Sequence, residues 1–341
     1  MKKVGLKDIA EHVGVSIALV SYVLNGQAEQ KQVSKDNAAK IKKAAEELNY
    51  RPNQIAKSLK MLKTNTIGLV VADINYRFST GITRAIEAEA KKENYTVLFG
   101  SSNENDDTFE ELVNALVNRQ VDGLILVPTE KSQQQIKMLQ KWGVPFVLLD
   151  RYFPEVPVNH IALNNYKAAY DGTTHLIKQG HQHIAFFNYQ TSFYHLQQRN
   201  QGYLDALKDH DLGFKKHWLQ EVDSADRVQD IQHGLDIILN HTEPCDAAFF
   251  ATDTLTINGL KYLNKLGVQV PSQLSVMSFD ESEAFDLFYS PITHLRQPLE
   301  AMGQAAVNKL MEQIDHHKTN IEVKDATHCI SELVVGRSCR E

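Results

Sequence analysis

The sequence has 341 residues, which is too long for one small domain and suggests two or three. Its 43% hydrophobic and 23% charged residues are ordinary for a globular protein, and no apolar run approaches the ~18 residues of a membrane span. The first residues lack the apolar core of a signal peptide, so we expect a cytoplasmic protein. Cys245, Cys329 and Cys339 lack the paired spacing of a disulfide framework or a zinc site, and neither a metal nor a cofactor is expected.

The net charge of −6 is unevenly distributed along the chain. Residues 1–63 contain twelve Lys and Arg against six Asp and Glu, whereas the remainder contains 24 against 36. A basic N-terminal segment on an acidic body fits a protein whose first part meets a polyanion. A solvated surface without such a partner would give the same asymmetry, so charge alone leaves both interpretations open.

Three helices are predicted in residues 1–52. In the first helix, apolar residues recur at the i, i+3, i+4 and i+7 positions of one face. Gly14 allows the chain to turn after this helix. Ser16 is placed to cap the second helix, which Asn25 and Gly26 end, and the third helix follows Ser34. Two short helices joined by a tight turn are typical of a helix-turn-helix, although any small three-helix domain shows this periodicity.

The second helix of such a motif lies in the major groove of DNA. Short hydrogen-bonding side chains on it suit phosphate oxygens, which fix the register of the protein on the duplex. The predicted phosphate contacts are Ser16, Ser21 and Asn25.

This segment resembles the lactose/galactose repressor (LacI/GalR) family in the order and spacing of its residues. The resemblance implies a bacterial transcription regulator, usually a repressor, that binds double-stranded operator DNA. The matching residues are Asp8-Ile9-Ala10, Gly14-Val15-Ser16, Val20-Ser21, Val23-Leu24-Asn25-Gly26, Val33-Ser34 and Leu48-Asn49-Tyr50-Arg51-Pro52-Asn53.

The positions expected to face bases depart from common family residues. They are Ile17, Ala18 and Tyr22, and none can make the paired contact of Arg with guanine. Ile17 and Ala18 suit thymine methyl groups, and Tyr22 can donate one hydrogen bond. The operator sequence therefore cannot be borrowed from relatives.

Residues 53–63 form a linker, because Pro52 stops the third helix. Its helical pattern spans only about eight residues, too few for an isolated helix, and a plain basic linker is one interpretation. The resemblance implies another, in which a hinge helix forms when two subunits meet on the operator and Leu59 enters the minor groove. The residues expected at this contact are Asn53, Ala56, Leu59 and Lys60.

From Thr64 onward, apolar runs alternate with helical patterns near 79–92, 106–119 and 133–142, which is typical of parallel sheets covered by helices. Two sets of runs predict an α/β protein with two lobes. The first set is Ile67–Ala72, Thr96–Phe99, Gly123–Val127 and Phe146–Leu149, and the second is Ile184–Phe187, Ala247–Ala251 and Leu274–Ser278.

Polar residues follow these runs at the strand ends, where open parallel sheets bind ligands. Each could be a helix cap or a turn residue, but carboxylates, an arginine and an aromatic ring facing one cleft suit a polyhydroxylated ligand. The residues concerned are Asp73, Phe78, Asp150, Asn188, Arg199, Asp253 and Asp280.

The family resemblance extends through this part in segments such as Val121-Asp122-Gly123-Leu124-Ile125, Arg199-Asn200-Gln201-Gly202-Tyr203 and Ser278-Phe279-Asp280. It implies two Rossmann-like lobes of the periplasmic-binding-protein type I, with three chain crossings between them. The expected lobes are about 64–163 with 294–321, and about 164–293 with 322–341. By position, the family's effector contacts fall on Phe78, Ser79, Asp150, Asn164, Arg199, Asp253, Asp280 and Gln297.

The resemblance implies a homodimer on a two-fold operator, controlled by a sugar effector. Arg77 adds a cation near the expected cleft, so a sugar phosphate or acidic sugar stays open. Two alternatives are a sugar-binding protein without a DNA role and an enzyme that uses the cleft. The basic N-terminal motif disfavours the first, and the absence of GxGxxG, GxxxxGK[ST] and GxSxG motifs disfavours the second.

Overall fold

A computed structural model of the chain describes residues 4–51, 63–316 and 325–340. The chain divides into two compact units, Met1–Thr64 (the N-terminal unit) and Asn65–Glu341 (the C-terminal unit). The predicted minor-groove residues lie outside the described residues, so that role stays a prediction: Asn53, Ala56, Leu59 and Lys60.

The N-terminal unit contains the three expected helices, α1 (Leu6–Val13), α2 (Ile17–Leu24) and α3 (Lys35–Glu47). Gly14 follows α1 with φ of +74°, a left-handed conformation that glycine adopts without strain. The Ser16 hydroxyl caps α2 by accepting from the Leu19 amide at 3.2 Å. The three helices enclose a small core of Ile9, Ala10, Val20, Val23, Ile41, Ala44 and Ala45.

The first lobe of the C-terminal unit is built on a six-stranded sheet whose strand pairs are all parallel. Its strands are β1 (Thr66–Val71), β2 (Thr96–Ser101), β3 (Gly123–Leu126), β4 (Phe146–Leu149), β5 (His160–Leu163) and β11 (Ala326–Cys329), in the order β11-β5-β4-β3-β1-β2. Its helices are α4 (Arg77–Lys92), α5 (Asp106–Asn118), α6 (Gln133–Trp142) and α12 (Leu299–His316).

The second lobe repeats this plan. Its strands are β6 (Ile184–Tyr189), β7 (Leu219–Val222), β8 (Ala247–Phe250), β9 (Ser275–Phe279), β10 (Thr293–Arg296) and β12 (Glu332–Val334), in the order β12-β10-β9-β8-β6-β7. Only the β10–β12 pair among them is antiparallel. Its helices are α7 (Asn165–Lys178), α8 (Tyr194–Asp209), α9 (Arg227–Asn240), α10 (Asp253–Leu266) and α11 (Glu283–Leu287), with a short 3₁₀ helix at Lys216–Trp218.

The predicted α/β class and both sets of strands are confirmed. Strands β1, β3, β4, β6, β8 and β9 have side chains that are almost all buried, because helices cover both faces of each sheet. Apolar runs without alternation were therefore the right signal for these strands. Among the described residues, no helix is both long and apolar enough to span a bilayer.

The crossings between the lobes differ in position from those expected. β10 pairs with β9 of the second lobe, so the second crossing follows Arg296 instead of preceding residue 294. β11 pairs with β5 of the first lobe, so the third crossing follows Cys329 instead of residue 321. β11 is a short edge strand with no buried residue, and β10 is a short inner strand of mainly polar residues, so an apolar-run criterion detects neither.

Candidate functional site

The side chains at the start of α2 are exposed and uncharged. Ile17 is 48% exposed and Ala18 lies beside it on the surface, although the unit has a core available for apolar groups. Tyr22, one turn later, is half-buried, and the Lys31 Nζ lies 5.6 Å from its ring centroid. The three predicted base-facing residues thus share one accessible helix surface, which suits apolar contacts to base edges and one hydroxyl hydrogen bond.

The three predicted phosphate-binding residues lie on the same helix. The Ser16 hydroxyl oxygen accepts from Leu19, which leaves its hydrogen available to an outside acceptor. At the other end of α2, the Asn25 side-chain amide donates to the Ser21 carbonyl at 2.8 Å and to the Ser21 hydroxyl at 3.2 Å. This pairing fixes the orientation of Asn25 and Ser21, and their contact with DNA stays a prediction.

A cavity of about 250 Å³ lies between the two lobes of the C-terminal unit. Its lining comes from residues that follow strands of both sheets, as expected for the carboxyl ends of parallel strands. Six of the eight predicted effector residues line it, namely Phe78, Asp150, Arg199, Asp253, Asp280 and Gln297.

The other two predicted effector residues, Ser79 and Asn164, are not among the lining residues. Ser79 is buried within α4. The Asn164 side chain caps α7 by accepting from the Lys167 amide at 3.0 Å. The structure therefore gives Asn164 a local structural role and places Ser79 in the packing of α4.

Arg199 lies at the centre of the cavity's second-lobe wall and is only 2% exposed. Its Nε donates to the Asn165 side-chain oxygen at 2.8 Å, and one terminal nitrogen donates to the Ala251 carbonyl at 2.5 Å. The guanidinium lies 3.8 Å from the Phe279 ring centroid, and the Asp280 carboxylate is 4.0 Å away. Burial lowers the pKa of Arg199, and these contacts hold its cationic group in one orientation.

The first-lobe wall carries a second charged group around Arg151. Two terminal nitrogens of Arg151 donate to the two Glu104 oxygens, both at 2.7 Å, and its guanidinium lies 4.3 Å from the Phe193 ring of the other lobe. Its Nε is 3.8 Å from Asp150. Paired hydrogen bonds of this kind leave Arg151 largely satisfied by Glu104.

Asp150 is 7% exposed, and its Oδ1 has no hydrogen-bond partner. Burial raises the pKa of Asp150 to about 6, with Asp280 and Glu104 adding to the effect while Arg151 and Arg199 oppose it. The carboxyl group is thus held in the cavity wall with one acceptor available to a ligand.

Asp253 and Asp280 of the second lobe, together with Gln297 of the crossing that follows β10, add further polar groups to the cavity lining. Burial, with the nearby Asp280 charge, raises the pKa of Asp253 to about 6. Asp253 accepts from the Thr254 amide at 2.7 Å. The Gln297 amide donates to Asp280 at 2.6 Å, while the Gln297 oxygen is buried without a partner.

Polar contacts also join the lobes at two edges of the cavity. Glu130 of the first lobe accepts from the Thr191 hydroxyl at 2.8 Å and from the Ser192 hydroxyl at 2.7 Å. Arg77, which was expected to add a cation near the cleft, lies 3.0 Å from Glu283 and 3.7 Å from Glu281. The positive charge of Arg77, on which the possibility of an acidic ligand rested, is therefore compensated by carboxylates of the opposite lobe.

Several lining residues were missed by the sequence reasoning. Arg151 directly follows Asp150 at the same strand end, so the strand-end rule would have included it. The others lie at the end of β6, on loops or on helices with no motif of their own, and the tertiary fold brings them to the cavity: Tyr76, Glu104, Glu130, Tyr189, Gln190, Thr191, Phe193, His195, Leu196, Ser224, Arg227 and Thr254.

Two family models together match most of the chain. The model for bacterial regulatory proteins of the lacI family matches residues 5–53. The model for periplasmic binding proteins and the sugar binding domain of the LacI family matches residues 64–331. The two matches coincide with the N-terminal and C-terminal units.

Similar proteins agree with both matches. The probable HTH-type transcriptional regulator EndR of Paenibacillus polymyxa is 31% identical over 93% of this chain and 92% of its own. The ribose operon repressor of Haemophilus influenzae is 29% identical over 92% of this chain and 93% of its own. A crystal structure of the lac repressor dimer bound to operator and the anti-inducer ONPF has a TM-score of 0.86 at 25% identity over 100% of both chains. The structure of the transcriptional regulator CelR in complex with cellobiose has a TM-score of 0.72 at 26% identity, over 98% of this chain and 100% of its own. The chain therefore belongs to the lacI family of bacterial regulatory proteins.

Proposed function

We propose that this protein is a transcription repressor that binds a two-fold operator as a homodimer and responds to a small polyhydroxylated effector. The observation that carries the proposal is the cavity between the lobes, because buried polar groups of both lobes line it. A ligand that contacts both walls favours the lobe arrangement in which both sets of contacts form. Effector and operator then alter each other's affinity by the same factor.

The proposed DNA contacts are those of α2. Ile17, Ala18 and Tyr22 meet base edges, while Ser16, Ser21 and Asn25 meet phosphates. Their common location on one accessible helix supports this assignment. Homodimer and operator binding are supported by the lac repressor dimer bound to operator, and a sugar effector by the CelR–cellobiose complex.

The relatives are named as regulators or repressors, so we propose that the cavity senses its ligand without converting it. A cytoplasmic location follows from this role, since the operator is there.

The test begins by selecting DNA that binds the full-length protein from a random pool at one fixed salt concentration, because phosphate contacts make affinity salt-dependent. Fluorescence anisotropy then measures affinity for the selected site and for scrambled DNA, with and without each member of a sugar panel. We expect a two-fold symmetric site and one class of sugar that changes its affinity.

Three results would contradict this function. The first is the absence of any selected site, which would indicate a ligand-binding protein without a DNA role. The second is a bound sugar that leaves operator affinity unchanged, while Arg199→Ala removes sugar binding. The third is accumulation of a product from the bound sugar, which would indicate an enzyme.

A further inference from the structure

The charges lining the cavity are predominantly negative. Its lining includes three guanidinium groups, those of Arg151, Arg199 and Arg227, against five carboxylates. The carboxylates are Glu104, Glu130, Asp150, Asp253 and Asp280. A ligand that enters this cavity therefore meets more acidic than basic groups.

Two of the three guanidinium groups already make hydrogen bonds within the protein. Arg151 makes its paired hydrogen bonds with Glu104. Arg199 is directed at Asn165 and the Ala251 carbonyl, with Asp280 at 4.0 Å. These contacts fix the orientation of both guanidinium groups, although the Arg151 Nε is left without a hydrogen-bond partner.

Among these carboxylates, Asp150 and Asp253 have the fewest nearby donors or cations to compensate their negative charge. Asp150 lies 3.8 Å from an Arg151 nitrogen, longer than a hydrogen bond. Within the described part of the chain, Asp253 accepts only from the amide and hydroxyl of its neighbour Thr254. Both carboxyl groups have a pKa raised to about 6, mainly by burial. The unliganded cavity thus stabilises their charge poorly.

Two buried acceptors in the cavity wall lack a donor, the Asp150 Oδ1 and the Gln297 Oε1. Both side chains are 7% exposed, and both line the cavity. A buried polar atom without a partner is costly, so the ligand is expected to bring donors to these positions. A phosphate or carboxylate group supplies acceptors and negative charge, and fits neither requirement.

Unpaired donors are present as well. The Arg151 Nε and the Arg227 Nε are buried without a partner, and the buried, neutral His195 ring has an unpaired Nδ1 that donates or accepts according to its tautomer. Hydroxyl groups can accept from such donors and donate to the free oxygens, so the ligand should carry several of them. Among the described residues, no group of three or more His, Cys, Asp or Glu side chains is arranged to hold a metal ion. The positive charge that would balance the excess of carboxylates is therefore expected on an organic ligand.

We propose that the effector is a polyhydroxylated amine, such as an amino sugar, whose ammonium group is bound by Asp253 and whose hydroxyl groups donate to Asp150. This inference rests on the proposed function, in which the cavity is the effector site. An ammonium group supplies one positive charge, which offsets the excess of carboxylates, and the hydroxyl groups of the same ligand supply donors for the unpaired acceptors. A neutral sugar supplies only the donors, and a sugar phosphate adds a repulsive charge.

Isothermal titration of the full-length protein tests this with four matched compounds: glucosamine, glucose, N-acetylglucosamine and glucose 6-phosphate. The 3-amino and 6-amino analogues of glucose extend the panel to other amine positions. At least one amine should bind more tightly than glucose by about tenfold or more, since a charged hydrogen-bonded pair in a buried site is strong. Acetylation of that amine should abolish the gain.

Asp253→Asn should remove this preference, because it deletes one charge and keeps the size of the side chain. Affinity for the amine should then fall by about tenfold, towards that for glucose. Asp107→Asn is the matched control, since Asp107 is exposed and does not line the cavity. It should leave both affinities unchanged.

The inference is overturned if glucose or glucose 6-phosphate binds as tightly as every amine, if no amine binds, or if Asp253→Asn keeps the preference. Operator binding is measured in the same samples. A protein that binds its operator and responds to a neutral sugar retains the proposed function and loses only this inference. A protein that binds the amine without any effect on DNA loses the proposed function instead.

Discussion

The N-terminal unit and the C-terminal unit present their functional side chains in opposite ways. On α2 the groups proposed to contact DNA are exposed or half-buried and carry no charge, as with Ile17, Ala18 and Tyr22. In the cavity the groups proposed to contact the effector include buried ions, such as Arg199 and Asp150. We infer that a substitution on α2 can change DNA recognition without changing the stability of the N-terminal unit, whereas a substitution in the cavity changes both effector binding and the stability of the C-terminal unit.

The physical reason is the cost of desolvation. A buried ion depends on its neighbours for compensation, so removing one partner leaves another charge unsatisfied. An exposed apolar or hydroxyl side chain has water as its alternative environment, and its removal leaves the fold nearly unchanged. Substitutions of exposed α2 residues should therefore affect DNA binding alone, whereas substitutions of buried cavity residues should also affect stability. Three measurements test this contrast.

The largest effect is expected for Arg199→Ala. It removes the hydrogen bonds to Asn165 and Ala251, together with the guanidinium over the Phe279 ring. It also leaves the Asp280 carboxylate without its nearby cation. We expect the C-terminal unit to lose about 3 kcal/mol of unfolding free energy and the effector to lose measurable binding. Urea unfolding of the full chain, followed by tryptophan fluorescence, measures the first.

Both tryptophans, Trp142 and Trp218, lie in the C-terminal unit, so their signal reports on it. Arg199→Lys serves as the matched variant, since it keeps a charge but cannot make the same planar set of contacts. It should recover part of the stability and little of the effector binding. Unchanged unfolding for Arg199→Ala would show that buried charges do not couple recognition to stability here.

Much of this architecture could be predicted from sequence because the relevant signals are local. Unbroken apolar runs identified strands such as Gly123–Leu126 and Phe146–Leu149, since buried parallel strands have no polar face. Turn and cap residues identified the helices of the N-terminal unit, as Gly14 and Ser16 illustrate. The lobe crossings at β10 and β11 could not be placed, because these short strands have no apolar run and their pairing partners are determined by the tertiary fold.

The cavity was predictable only in part for the same reason. The strand-end rule found Asp150 and Asp280, which directly follow β4 and β9. It could not show that Arg77 would pair with Glu283 across the cavity edge, since the two are 206 residues apart in the chain. It also selected Asn188, whose amide instead donates to Asn200 at 2.7 Å and holds the start of α8. Strand ends locate a site, while the charge balance within it depends on distant partners.

A smaller effect is expected from pH through Asp150. Its folded pKa of about 6 exceeds the ordinary aspartate pKa of 3.8, so the folded state holds this proton more tightly than the unfolded state. The resulting stabilisation is complete below the unfolded value and is lost as pH rises through the folded value. Between pH 4.5 and 7, Asp150 should therefore cost the wild-type protein about 2 kcal/mol relative to Asp150→Asn.

Unfolding free energies of both proteins across this range measure the difference, which should grow with pH because Asn carries no charge at any pH. Comparing the two proteins cancels the titration of carboxylates common to both. A difference that stays constant from pH 4.5 to 7 would show that Asp150 is not held as an uncompensated buried group. The pH dependence should also shrink when a saturating effector pairs with the carboxylate.

The smallest effect is expected on α2, and it should appear in DNA binding alone. Ile17→Ala removes exposed apolar surface proposed to pack on a thymine methyl, so operator affinity should fall by about fivefold, or about 1 kcal/mol. Affinity for scrambled DNA should change little, because phosphate contacts supply non-specific binding. Val20→Ala, at a fully buried position on the same helix, is the contrasting variant and should destabilise the N-terminal unit. An equal loss on scrambled DNA, or unfolding of the unit by Ile17→Ala, would mean that recognition on α2 is not separable from its stability.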